Sequence, residues 1–333
     1  MRYLIRRLIW FAVALLGLSL LVFAALRILP GDVASVMAGT NATPARIAAI
    51  RSRMGLDRSY PQQYADWLGG LLHGNMGVSA ISGRTVASQI GAHAAVTLPL
   101  IVLSLLVALG VGIPMGCQAV LAGSPRVRSV LHTIAIVGGA VPALWGGLLL
   151  IMLFGRGVGL IGILPSQGFP DAGWHAPRAA LISLILPTIT TGLVAGAGIM
   201  RYTRACLISM EDSDAVAMAM ACGMTRRQAM LRVGLRLSAA QLVSVAGLTF
   251  AQMITGVMVV ESLFNLPGLG AMLINDVGNR DLIAVQSELF LLAAFFLLLG
   301  LLVDLMHHAL DPRLGEQTQH AGGEGSTHDL GIR

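Results

Sequence analysis

The chain contains no lysine: all 22 of its basic residues are arginine. A Walker-type nucleotide loop needs its lysine to reach the phosphates, so the chain itself is not expected to bind and hydrolyse ATP in that manner. A lysine Schiff base is excluded outright. Charge of either sign is scarce, 11% of residues against about 25% in soluble domains. Cysteine is rarer still. Cys117, Cys206 and Cys222 are odd in number and widely spaced, which supplies neither a disulfide framework nor a CxxC metal pair. No His-Glu-x-x-His run is present, which removes a zinc protease of that type. No Gly-x-Ser-x-Gly nucleophile elbow and no pair of aspartates inside the apolar runs supports an intramembrane protease.

What the chain has in abundance is apolar sequence. Hydrophobic residues make up 56% of its 333 positions, and the mean hydropathy is +0.78. Six runs approach the 20 or so apolar residues that cross a bilayer as a helix: Leu8–Leu29, Thr97–Ala122, Val130–Phe154, Ala179–Met200, Ala239–Val260 and Val285–Met306. The first run exceeds the h-region of a signal peptide and ends in "RILPGD" without a small-x-small cleavage pattern, so a retained helix is expected. The pI near 10.0 and net charge of +6 would suit nucleic acid. The arginines flank the apolar runs, however, so topology is the simpler account and no nucleic-acid partner is expected.

Arginine placement sets the expected orientation. Arg2, Arg6, Arg7, Arg126, Arg128, Arg201, Arg204, Arg226, Arg227, Arg232, Arg236, Arg313 and Arg333 fall on one side, while the two short opposite loops hold only Arg156, Arg178 and Arg280. The positive-inside rule then places both termini in the cytoplasm. The expected organisation is an N-terminal transmembrane helix (1–29), an extracytoplasmic segment (30–95), a core of five further transmembrane helices (96–310) with a cytoplasmic loop at 201–238, and a disordered cytoplasmic tail (311–333).

The outer segment has its own pattern. "TPARIAAIRSRMGL" reads as a helix with Thr43 at its N-cap, Pro44 in its first turn and Gly55 near its stop. "SYPQQYADWLGGLLHG" reads as a second helix whose Tyr64, Trp67, Leu68 and Leu71 share a face, suited to a membrane boundary or to an outer partner. Arg27 is placed either to meet a peptide carboxylate or to snorkel to the interface. Glu261, Glu288 and Asp304 sit near run ends and the middles of the runs carry no charge, so an ion- or proton-driven mechanism lacks its usual residues. The runs are instead interrupted by Pro99, Pro114, Pro142 and Pro187. Pro187 is followed by Thr188, Thr190 and Thr191, which suit either mobile pathway helices or close packing with threonines bonded to their own backbone.

In the polar loop lies "DAVAMAMACGM", an apolar stretch between "EDS" and "TRRQAMLR". As a helix, Asp214–Cys222 is about 13 Å long, too short to span. Asp214 is expected to cap it and Gly223 to end it in a left-handed conformation. Val216 and Met220 share one face, and Met218 and Cys222 the next. Such a surface needs burial, either in a partner's groove or beneath its own bundle.

The pattern Asp214, Ala219, Gly223 in the last large loop resembles the EAA loop of bacterial ABC importer permeases. "MRYLIRRLIW" with "RILPGD", "MGLDRSYPQQYADWLGGLLHGNMGVS", "ESLFNLPGLGAMLINDVGNRD" and "LLVDLMHHALDPRL" resemble, in order, the first permease subunit of the dipeptide/oligopeptide/nickel transport family over about Met1–Leu314. The resemblance implies an all-α membrane protein with six transmembrane helices in the type I ABC importer permease fold, in the bacterial inner membrane. It implies a non-catalytic subunit that pairs with a homologous second permease, receives di- or oligopeptides from an extracytoplasmic solute-binding protein, and couples to cytoplasmic ATPases that carry the ATP and Mg. The chain itself would hold no cofactor or metal. Nickel chelates or another small solute are the alternative cargo, and an ATP-independent channel or structural subunit the alternative role.

By the same resemblance Asp214, Val216, Met218, Ala219, Met220 and Gly223 form the ATPase-coupling helix. It departs from the family pattern at Ala215, Ala217, Met220, Cys222, Leu237 and Gln241, and this makes an unusually apolar knob. "FNLPGLG" suggests Pro267, Gly268 and Gly270 as an outer gate, or else a turn that starts a short helix at Ala271.

Overall fold

A computed structural model describes residues 2–28, 33–38, 42–53 and 55–310. The last residue of the first expected run, Leu29, and the tail expected to be disordered, 311–333, lie outside them. Fourteen α-helices are described. α1 (Arg2–Ile28) covers the first expected run, followed in the segment expected outside by α2 (Val33–Ala38), α3 (Pro44–Arg53) and α4 (Tyr60–Leu72). The core holds α5 (Val86–Leu121), α6 (Pro125–Ala140), α7 (Ala143–Phe154) and α8 (Pro177–Met210). The loop and last third hold α9 (Asp214–Ala221), α10 (Arg226–Ala229), α11 (Leu235–Leu237), α12 (Ala239–Leu263), α13 (Leu269–Gly278) and α14 (Leu282–Leu310). Five of the described helices are long and apolar enough to cross a membrane, and the bent pair of α6 and α7 makes a sixth if it crosses as one broken span.

The bend corrects one expectation. The run Val130–Phe154 is not one rod: α6 and α7 meet at 105°. Val141 donates its N–H to Val137 O and then turns extended, at ψ 121°, as a residue before proline prefers. Pro142 follows with no N–H to continue the ladder and becomes the N-cap of α7. Pro99, Pro114 and Pro187 stay inside continuous helices. Two long helices also outrun their expected ends. α5 starts at Val86, inside the segment assigned to the exterior, and α8 continues to Met210, through Arg201 and Arg204.

α5 and α8 pack along much of their length. Gly112 and Gly116 of α5 face Gly196 and Thr203 of α8 so closely that a Cβ at Gly112 would stand 2.7 Å from Gly196 O. Small residues at this spacing let two backbones approach, the usual basis of helix association in a membrane. Leu100, Ile101, Ala108, Leu184, Leu186 and Ile199 of this pair join Ile254, Val257 and Val260 of α12 in the main core. Two of the three clustered threonines of α8 take the packing alternative: Thr190 donates to Leu186 O and Thr191 to Pro187 O, while the Thr188 hydroxyl is buried without a partner among the described residues.

α1 docks at the edge, on α14. Val22 and Leu26 meet Val285, and Arg7 pairs with Asp304 at 2.7 Å. The aromatic face of α4 covers this junction. Tyr64 shares a 2.8 Å hydrogen bond with Ser19, Phe23 meets Tyr64 edge-on, and Trp67 meets Phe290 edge-on at 5.7 Å. These aromatics are therefore spent on holding α4 to α1 and α14. α3 forms as expected, with Thr43 Oγ1 accepting from Arg46 N and Gly55 at φ +66°.

Candidate functional site

Three sites follow from the chain's own packing. The first is α9. Its N-cap is Ser213, one place before the expected cap Asp214, and its hydroxyl accepts from Val216 N; Asp214 is the first helical residue and exposed. Gly223 ends the helix at φ +94°, a conformation that suits a residue without Cβ. One side chain anchors it. Val216 is 1% exposed and packs with Cys117, Val120, Leu207, Ala229 and Met230. Ala219 is half-buried beside it. Met218 is 70% exposed and Met220 38%. Of the two alternatives, packing beneath the bundle holds for Val216, whereas Met218 and Met220 project from it. Val216 and Met220 do not share an environment.

The connection from α9 to α12 is braced. Arg226 pairs with Glu211 at 2.6 Å, tying α10 to the end of α8. Thr225 and Gln228 form a reciprocal capping box at the start of α10. Met230–Gly234 then make a π-helical turn, and Met230 and Gly234 are buried there. α9 is thus packed at once against α5, α8 and the turn that leads to α12.

The second site is a cavity of about 360 Å³ between α6, α7, α8 and α12. Thr191, Arg201, Tyr202, Thr249 and Gln252 bring polar groups to it, and Gly139 lies against the Arg201 guanidinium. The bend at Pro142 swings α6 away from α7 at this place. Sequence reasoning assigned Arg201 to the loop and missed the cavity. The signal was distributed over four segments, none unusual alone.

The third site is the segment suggested as an outer gate. α13 begins at Leu269, two residues before the expected start, and Gly268 is its N-cap. Glu261, fully buried on α12, aims its carboxylate at that helix start. Its Oε1 accepts from Thr97 Oγ1 at 2.6 Å, and its Oε2 from Gly270 N at 2.8 Å and Ala271 N at 3.3 Å. Leu269 N donates to Thr97 Oγ1. A Cβ on Gly268 would overlap the Glu261 carboxyl, and one on Gly270 would overlap Met258. His93 Nδ1 bonds Pro267 O at 2.9 Å. A carboxylate at a helix N-terminus satisfies free N–H groups and complements the dipole, so the segment is a turn tied to α5 and α12.

Glu261 and Glu288 stand near the ends of α12 and α14, as expected, and both are buried. Glu261 is 0% exposed, Asp281 0% and Glu288 2%. Asp281 is satisfied by Ser79 Oγ at 2.6 Å and by Ala284 N. Neither oxygen of Glu288 meets an N–H or hydroxyl donor among the described residues; its polar neighbour is the Asp276 carboxyl, with which it can share a hydrogen bond only when one of the two is protonated. The described His, Cys, Asp and Glu residues form no group of three arranged to hold a metal ion.

Comparison with known proteins gives this geometry its context. Residues 108–316 match the family "Binding-protein-dependent transport system inner membrane component". Residues 1–97 match its companion, "Binding-prot-dependent transport system membrane comp, N-term". The chain belongs to this family of ABC importer permeases. Among its relatives, the probable peptide ABC transporter permease protein y4tP of Sinorhizobium fredii is 32% identical over 94% of this chain and 98% of its own length. The glutathione transport system permease protein GsiC of Escherichia coli (strain K12) is 32% identical over 94% of this chain and 99% of its own. The GsiC of Pectobacterium atrosepticum is 33% identical over the same shares. This permease is a multi-pass inner-membrane subunit of a binding-protein-dependent ABC importer. Such a permease works with ATPase and solute-binding partners.

Proposed function

We propose that this permease forms half of the translocation pathway of an ATP-driven importer of di- and oligopeptides, including peptides of glutathione size. The substrate class rests on similarity along nearly the whole chain to permeases named for peptide and glutathione transport. The pathway runs past the cavity of Thr191, Arg201, Tyr202 and Gln252, where the guanidinium suits a peptide carboxylate and the other groups suit its amides. A homologous second permease supplies the other half, and a solute-binding protein delivers the ligand to the outer face. Both termini and α9 face the cytoplasm. The chain binds no cofactor of its own; ATP and Mg sit on the ATPase subunits.

The observation that carries the coupling role is the two-sided character of α9. A fully buried Val216 fixes the helix to the bundle, while Met218 stands 70% exposed on its far side. Methionine adapts its shape to a groove, so Asp214, Met218 and Met220 form the knob that enters a cleft on the ATPase. Ala219 and Gly223 let the helix lie close and stop short. ATP-driven closure moves the cleft, and the braced loop passes that motion to α8 and α12. ATP must bind more tightly to the complex in one bundle state than in the other for this to occur. The test is co-purification of the ATPase with wild-type and Met218→Glu permease, with hydrolysis measured in the presence of the binding protein and peptide. Undiminished association of the Met218→Glu chain would refute coupling through α9.

A further inference from the structure

Among the described residues, one charged side chain, Arg201, lines the cavity between α6, α7, α8 and α12, and its polar neighbours Thr191, Tyr202, Thr249 and Gln252 are neutral. The walls supply nothing to neutralise it. These four helices carry Arg126, Arg128, Arg178, Arg201 and Arg204 but a single acid, Glu261. Glu261 is already engaged by Thr97 and by the start of α13. No described residue forms an ion pair with the Arg201 side chain or accepts a hydrogen bond from it.

The side chain is aimed into the cavity. A Cβ on Gly138 of α6 would stand 3.1 Å from the Ala197 methyl. Gly139 is therefore about level with Ala197, one turn nearer the middle of α8 than Arg201. The guanidinium lies on Gly139: a Cβ there would be 3.3 Å from Cζ, and 3.4 and 3.5 Å from the terminal nitrogens. Cζ is the nearest of the three, so the flat face of the group rests on the glycine and its N–H edges stay free. A snorkelling arginine reaches the other way, toward the end of its helix. A charge on a spanning helix that faces a cavity marks a substrate path, and low-dielectric walls carry its field to whatever passes.

We propose that Arg201 makes this half of the pathway a charge filter, which favours peptides of net negative charge and turns back those of net positive charge. The filter rests on the peptide-importer reading above and narrows its substrate class. A peptide with an acidic side chain brings a second carboxylate to the free guanidinium fork. A lysyl peptide meets like charge at a place that it must pass.

The test is uptake by the assembled transporter in proteoliposomes, with ATP and the binding protein. Three tripeptides are used that differ only in the middle residue: glutamate, glutamine or lysine. The binding protein's own preference is the same for every permease variant, so the readout is the change in the glutamyl-to-lysyl uptake ratio. Each variant is its own reference, so a loss of folded transporter cancels. Arg201→Gln should lower the ratio about tenfold, Arg201→Glu should lower it further, and Arg201→Lys should retain it. Gly139→Val keeps the charge but displaces the guanidinium, and should lower the ratio less than Arg201→Gln. An unchanged ratio in both Arg201→Gln and Arg201→Glu would overturn the filter and leave the peptide reading standing. A wild-type complex that hydrolyses ATP yet moves none of the three peptides would refute the peptide reading, and the filter with it.

Discussion

α9 and α13 are both short helices that follow a long spanning helix, and they are held by opposite means. α9 hangs on one apolar side chain, Val216, and leaves Met218 in the open. α13 is bound by a buried carboxylate whose two oxygens accept three hydrogen bonds, from Thr97 and from Gly270 and Ala271 N–H. Polar satisfaction in the interior makes α13 a fixed part of the bundle, since moving it leaves several groups unpaired at once. An apolar anchor with a bare outer face makes α9 a part that a partner can grip. A coupling element must offer surface; an outer tie must not.

That contrast can be broken on each side. The largest effect is expected from Val216→Asp, which puts an unpaired charge among Cys117, Val120, Leu207 and Met230. A loss of about 4 kcal/mol of local stability should appear as rapid proteolysis between α8 and α12. Met218→Glu should leave thermal stability and proteolysis unchanged while costing about 3 kcal/mol of ATPase docking, as judged by co-purification. Loss of stability in that variant would mean that Met218 is not free. Glu261→Gln keeps the side-chain shape but turns one acceptor into a donor facing occupied donors. It should cost about 2 kcal/mol, read as a lower unfolding temperature in detergent, with ATPase association unaffected. Asp304→Asn, at the half-exposed pair with Arg7, should cost less than about 1 kcal/mol. It sets the baseline against which the two short helices are judged.

Much of this was legible in residue order. The cap of α3, the stop at Gly223 and the five unbroken spanning helices follow from short-range chemistry, in which a helix end or a run length is decided by neighbours in sequence. The face of α9 that is buried was not legible: Val216 and Met220 are four apart and look equivalent until α5 and α8 close over one of them. Glu261 is the span-end charge it looked to be, but its burial was not legible because its partner Thr97 lies 164 residues away. Arg201 was placed in the loop because nothing local told where α8 would end.

The sequence by itself determined that this chain crosses a membrane as helices and that a short apolar helix interrupts its most polar loop. Those properties depend on transfer of local segments between water and lipid. Only the tertiary structure decided that Pro142 bends a span while Pro99, Pro114 and Pro187 do not. It also decided that α9 has one hidden face and one open one, and that the suggested gate is bound to a buried carboxylate. Each of these depends on which distant groups arrive to satisfy a hydrogen bond or fill a contact, and no segment carries that information alone.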